Sequence, residues 1–235
     1  KLGMVYDAGG KFDKSFNQSA FEGLQRFTKE TGVKVFEVQA NSDTQAEQVM
    51  RGLARKKVDM IAAIGFSQTQ AVQKVAREFP NVRFVLIDSV AQGANIESVM
   101  FKEQEGSYLV GVAAAMASKS KKLGFVGGMD IPLIRAFACG YGQGAKAQAP
   151  KIEIVQNMVG TTAAAWNDPA KGGELARAQF ARGVDVVFAV AGGSGMGTLQ
   201  AAKEQGKLAI GVDSNQNYLH PGTMLTSMVK RVDVA

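Results

Sequence analysis

Two α/β lobes, each a parallel sheet flanked by helices, are predicted from this chain on three observations. Strand-sized apolar runs alternate with amphipathic helical segments from one end to the other, the pattern of parallel sheets joined by right-handed crossovers. The apolar runs lack polar alternation and are bounded by Gly or Asp, which suits strands buried on both faces. The second half also repeats the first. Leu2-Gly3-Met4-Val5 matches Leu123-Gly124-Phe125-Val126, and Val58-Asp59-Met60-Ile61-Ala62-Ala63 matches Val184-Asp185-Val186-Val187-Phe188-Ala189. Val85-Leu86-Ile87-Asp88-Ser89 matches Ile210-Gly211-Val212-Asp213-Ser214, and Ser98-Val99-Met100-Phe101-Lys102 matches Thr226-Ser227-Met228-Val229-Lys230. The offset stays within 121 to 128 residues and the order is kept, as in a duplicated architecture.

The first lobe is assigned to 1–102, with strands at 2–6, 34–38, 59–64, 83–87 and 98–101. Its helices are predicted at 15–30, 44–56 and 69–78; Ser15 is the expected cap of the first, with Asp13 competing for that role, because a short side-chain oxygen accepts from the exposed N–H groups of a helix start. The second lobe, 103–230, carries strands at 123–126, 152–158, 185–190, 208–212 and 224–229. Its helices fall at 103–118, 131–147, 169–182 and 196–205, with Pro169 in a first turn, where its missing N–H is harmless. Residues 231–235 begin the crossover back, and the strand and helix that would return to the first lobe are expected to be missing from this chain.

Hydrophobic residues make up 46% of the 235 residues and charged residues 20%, ordinary for a soluble globular protein. No apolar run approaches the ~20 residues of a membrane span. No signal-peptide pattern precedes the strand at Leu2, so a targeting segment was removed or never present, and export stays open. Cys139 is the one cysteine. It has no internal partner, and a small buried residue on a helix is expected there. The net charge of +6 is spread along the chain without a block of five like charges, which argues against a nucleic-acid partner. The densest basic patch, 118–122, reads as a solvated helix end and loop. His220 is the only histidine. Metal-ligand spacing and a Ser-His pair are therefore both absent, and no cofactor motif is present. Acid–base work by Asp88 and Asp213 is conceivable, but recognition rather than catalysis is the expectation.

The junction from Tyr6 to Gln18, YDAGGKFDKSFNQ, places Asp7, Phe12, Phe16 and Asn17 at the carboxyl end of the first strand, where open α/β sheets bind ligands. Asp7 suits either a turn or an acceptor for an amino group or hydroxyl. Asn17 both donates and accepts, as the edge of a heterocycle requires. The strand-end pair Asp88 and Asp213, duplicated at matching positions, suggests a clamp across a cleft between the lobes. Trp166, the only tryptophan, lies in a loop and is either packed or turned to a ligand. In Ala191-Gly192-Gly193-Ser194-Gly195-Met196-Gly197 the glycine order differs from the dinucleotide fingerprint. Close backbone approach to a ligand is the better reading, with Gly193 as the contact and Gly127-Gly128 in a lesser part.

YDxGGxFDxSFNQ, WNDPAKG at 166–172, AGGSGxG, GVDSNQ and SMVKRVD together resemble the basic membrane protein family, substrate-binding proteins of ABC transporters that include purine nucleoside receptors. The resemblance covers Leu2 to Asp233. It implies the type I periplasmic-binding-protein fold, a periplasmic or otherwise extracytoplasmic location with lipid anchoring left open, and a membrane permease as partner. It further implies a purine nucleoside ligand of the adenosine, guanosine or inosine type. Phe16 and Trp166 would stack on the base, Asp88 would read its edge, and Asp213 with Lys230 would hold the ribose. Three rivals remain: a receptor for a sugar or other small metabolite, the sensing domain of a transcription regulator, and a nucleoside-cleaving enzyme.

Overall fold

Five parallel strands make up each of two sheets in the computed structural model, which describes residues 1–235. The first sheet contains β1 (Leu2–Tyr6), β2 (Val35–Gln39), β3 (Met60–Ile64), β4 (Arg83–Ile87) and β5 (Ile96–Val99), in the order β2-β1-β3-β4-β5. The second contains β6 (Lys122–Gly127), β7 (Glu153–Met158), β8 (Val186–Val190), β9 (Leu208–Asp213) and β10 (Met224–Val229), in the order β10-β9-β8-β6-β7. Counted from its own first strand, each sheet runs 2-1-3-4-5, so the repeat seen in the sequence is also a repeat of topology. In that order the winding reverses between the first and third strands. The switch points, where ligands favour the carboxyl ends, are therefore β1/β3 and β6/β8.

Seven helices cover the sheets: α1 (Phe16–Thr31), α2 (Asp43–Arg55), α3 (Thr69–Glu78), α4 (Glu103–Ala117), α5 (Pro132–Gln148), α6 (Pro169–Ala181) and α7 (Gly195–Glu204). Local chemistry fixes several starts. The Ser42 hydroxyl accepts from the Gln45 N–H at 3.2 Å, the Asp168 carboxylate accepts from the Lys171 N–H at 2.9 Å, and a proline occupies the first turn of α5 and of α6. In the first unit Met50, Leu53, Ile61, Val72, Phe84 and Leu86 form the core. The second sheet is buried on both faces: Phe125, Phe137, Tyr141 and Phe188 pack on one side, and Val126, Phe180, Val187 and Leu199 on the other. Every residue of β8 is buried, which explains its unbroken apolar run.

Three expectations change. β5 lies at Ile96–Val99 rather than 98–101, because its ladder with β4 runs from Phe84↔Ile96 to Ile87↔Val99 and the Asp88 N–H closes it on the Val99 carbonyl at 2.9 Å. Cys139 is exposed. The buried side of α5 is set by Ile134, Phe137, Tyr141 and Ala145, and position 139 falls off that helical stripe. The third change concerns the lobe boundaries. The first unit holds Lys1–Phe12, Asn17–Phe101 and Val232–Ala235; the second holds Asp13–Phe16 and Lys102–Arg231. Asp13–Phe16, expected in the first lobe, thus belongs to the second. The Gln216 side chain donates to the Lys14 carbonyl at 2.8 Å and the Ser214 hydroxyl to the Ser15 carbonyl at 2.9 Å. At the other end, the Asp233 carbonyl accepts from Arg26 at 2.6 Å within the first unit.

Candidate ligand-binding site

In the first unit, Asp7 directly follows β1. Its Oδ1 accepts from the Gly9 N–H at 3.0 Å and from Asn17 Nδ2 at 2.8 Å, while Asn17 Oδ1 accepts from the Asp7 N–H at 3.3 Å. The acid and the amide singled out in the sequence therefore orient one another. Gly65, just past β3, has φ 114°, and a Cβ there would overlap the Asp7 carboxylate; Asp7 thus sits at the β1/β3 switch point. Asp88, buried past β4, has φ 71°. Phe12 is 66% exposed and meets Phe21 edge-on at 5.6 Å, so it lies on the surface. Gln18 donates to Glu22 at 3.1 Å along the same helix.

In the second unit, Asp213 ends β9 with φ 64°. Both duplicated aspartates thus adopt the left-handed conformation, which few non-glycine residues take and which Asp tolerates better than most. Such outliers concentrate at functional sites. Ser15 donates its hydroxyl to Asp213 Oδ2, and its N–H is held by Asp13 Oδ1 at 2.8 Å. The residue expected to cap α1 directs its hydroxyl proton to the β9 carboxylate. Lys230 follows β10 and is only 3% exposed, not a surface lysine. Its Nζ lies 2.9 Å from Glu103 Oε1, 5.5 Å from the Phe16 ring centroid and 5.4 Å from that of Phe137. The fold thus brings Phe16, Asp213 and Lys230 into one cluster. Glu103 joins them unannounced by the sequence, where it looks like any acid in the first turn of a helix.

Three buried carboxylates, Asp13, Glu103 and Asp213, share this cluster with the Lys230 ammonium. Burial pushes the Asp213 carboxyl up to about 6. Lys230 and the Ser15 hydrogen bond pull it down, while Asp13 and Glu103 add to the rise. The folded state therefore holds this proton more tightly than the unfolded chain does. The resulting stabilisation is fully present below the unfolded carboxyl pKa of about 4 and is lost as pH rises to about 6. Asp213→Asn removes that loss. In thermal melts of the ligand-free protein, the difference in Tm between Asp213→Asn and the parent is expected to widen from pH 4 to pH 6 and stay flat above. A difference that does not vary with pH would contradict the assignment.

Trp166 ends a 3-10 turn, Ala163–Trp166, and is half-buried against the core. Its indole lies over Gly128 just past β6, where any Cβ would overlap the ring. The Gly128 N–H donates to the Val190 carbonyl of β8 at 2.9 Å. The only tryptophan is therefore placed on the β6/β8 switch point. Gly193 is buried beside it, and a Cβ on Gly193 would come within 3.1 Å of the Trp166 carbonyl. Close approach at Gly193 is real, and the neighbour it admits is the tryptophan loop.

The first unit carries Asp7 and Asp88 past the ends of β1 and β4; the second sets Asp213 and Lys230 beside the Phe16 ring and Trp166 on the β6/β8 switch point. Residues 1–235 match the Bmp family, described as ABC transporter substrate-binding protein PnrA-like. The chain belongs to this family. The ABC transporter nucleoside-binding protein BmpA of Lactococcus lactis subsp. cremoris is 38% identical over 234 residues, covering 93% of this chain and 65% of that protein. A solved ABC transporter solute-binding protein from Aeropyrum pernix K1 is 33% identical with TM-score 0.92, covering 99% of this chain and 67% of that one. A transcriptional activator of the comK gene from Bacillus halodurans is 27% identical with TM-score 0.80, covering 99% and 78%. As a Bmp-family chain, its fold is that of periplasmic binding proteins, with a parallel sheet and flanking helices in each unit.

Proposed function

We propose that this chain is the binding part of an extracytoplasmic receptor that takes a purine nucleoside of the adenosine, guanosine or inosine type and delivers it to a membrane permease. The observation that carries this reading is the cluster of Asp213, Lys230 and Phe16, which sets a carboxylate and an ammonium beside an aromatic ring. A carboxylate suits vicinal hydroxyls because its two oxygens accept two donors. Asp213 and Lys230 are assigned the ribose, and Phe16 and Trp166 stack on the base. Asp7, Asn17 and Asp88 read the polar edge of the base, and the Gly193 backbone contributes a contact. Stacking on an aromatic ring is worth about 1–3 kcal/mol per base, so two rings supply a large part of the roughly −8 kcal/mol of a micromolar site. The name of the lactococcal relative supports the nucleoside class. No helix is long and apolar enough to cross a membrane.

A thermal-shift panel tests the reading. At a hundred times its dissociation constant a ligand adds about 2.7 kcal/mol, which raises Tm by roughly 5–10 °C for a chain of this size. That rise is expected with adenosine, guanosine or inosine and not with free ribose or arabinose. A rise with pentoses and none with nucleosides would replace the nucleoside by a sugar. A second reading, the ligand-sensing part of a transcription regulator, is favoured by the likeness to the comK activator. A duplex-DNA mobility shift by the full-length protein that responds to nucleoside would decide for it.

A further inference from the structure

Ser194 is completely buried in the 3-10 turn Gly192–Ser194 that follows β8. Its hydroxyl donates to the Ala165 carbonyl at 2.6 Å and accepts from the Asp168 N–H at 2.7 Å. Those two groups flank Trp166 on either side. One oxygen therefore fastens both ends of the segment 165–168 to the loop after β8. The indole carried by that segment rests on Gly128, which is tied to the end of β8 through the Val190 carbonyl at 2.9 Å. The segment has local ties of its own, from the Asn167 N–H to the Ala164 carbonyl at 3.0 Å and from Asp168 to the start of α6 at 2.9 Å. Neither of these links it to β8. The cross-tie from Ser194 spans 26 and 29 residues of sequence.

We propose that Ser194 is a positioning residue for ligand recognition, whose hydroxyl fixes the Trp166 indole over the β6/β8 switch point before a ligand arrives. A ring held in place in advance does not have to be ordered on binding, and that saving appears as affinity. Precise placement of a contact residue depends on supporting hydrogen bonds of this kind. Alanine at 194 removes the tie and leaves the buried Ala165 carbonyl and the Asp168 N–H without this partner, while every atom of the indole is kept. The ligand side of the proposal rests on the nucleoside reading; the hold on Trp166 does not.

The chain carries one tryptophan, so its fluorescence reports Trp166 alone. The test compares acrylamide quenching and nucleoside affinity in the parent, Ser194→Ala and Ser118→Ala. Ser118 is the control because it is also buried, and its hydroxyl likewise joins distant segments, donating to Asp185 at 2.6 Å just before β8, at the opposite end of that strand from Ser194. In Ser194→Ala the quenching constant is expected to rise at least about twofold and the affinity to fall about tenfold, the effect of losing roughly 1.4 kcal/mol. Ser118→Ala is expected to change neither. Unchanged quenching in Ser194→Ala, or an equal rise in both variants, overturns the proposal. So does higher quenching with unaltered affinity for a nucleoside that the parent binds. If the parent binds no nucleoside, the nucleoside reading fails, and the quenching comparison still decides whether Ser194 holds the indole.

Discussion

Asp213→Ala is expected to weaken binding of a purine nucleoside by more than tenfold while leaving any binding of the free base nearly unchanged. The carboxylate sits at the end of β9, where its Oδ2 accepts from the Ser15 hydroxyl. In the proposed complex its remaining acceptor capacity goes to the ribose, and charge-assisted bonds of this type are worth about 1.5–3 kcal/mol each. Truncation removes them and leaves Lys230 paired with Glu103 at 2.9 Å, so the ammonium keeps a counter-ion. The same carboxylate accepts hydroxyl protons best when ionised, and nucleoside affinity should therefore fall as pH drops below about 6. Isothermal titration of nucleoside and free base measures both effects. Equal losses for the two ligands would remove Asp213 from the ribose.

Trp166→Ala is expected to cost nucleoside and free base alike, by a factor of roughly ten to a hundred, from the loss of about 1–3 kcal/mol of stacking. Before that substitution is made, ligand should change the fluorescence of Trp166, because a base stacked on the indole alters its surroundings. The ring already packs on Gly128 and the core, so some loss of stability is expected as well. Affinity and Tm must be read together. A variant that melts earlier yet binds nucleoside as tightly as the parent would leave the tryptophan a purely structural residue.

Most of the fold was legible because each element follows from local pattern. The ends of α2, α3 and α6 carry caps, proline or charge that can be read from a few neighbours, and the fully buried β8 announces itself as Val186–Val190. Cys139 was misjudged by residue type when the spacing of Ile134, Phe137, Tyr141 and Ala145 already placed it off the buried stripe. The candidate residues are legible where they share a strand–helix junction, as Asp7 and Asn17 do, or where they repeat. Asp88 and Asp213 match each other in sequence and again in positive φ. Single long-range contacts left no such trace. Ser15 reaches Asp213 across 198 residues, which transfers the 13–16 turn to the second unit, and Glu103 meets Lys230 from opposite ends of the second unit's main segment. Ser194 stands inside a glycine-rich loop, and the hydroxyl that ties down the tryptophan loop carries no pattern in one dimension.

Isothermal titration of the purified protein with adenosine, guanosine and inosine, beside ribose and the free bases, decides whether it is a receptor for purine nucleosides. The expected result is one-to-one binding of at least one nucleoside at micromolar strength or tighter, with ribose silent and the base weaker. Heat from ribose or another sugar, with none from any nucleoside, would contradict it.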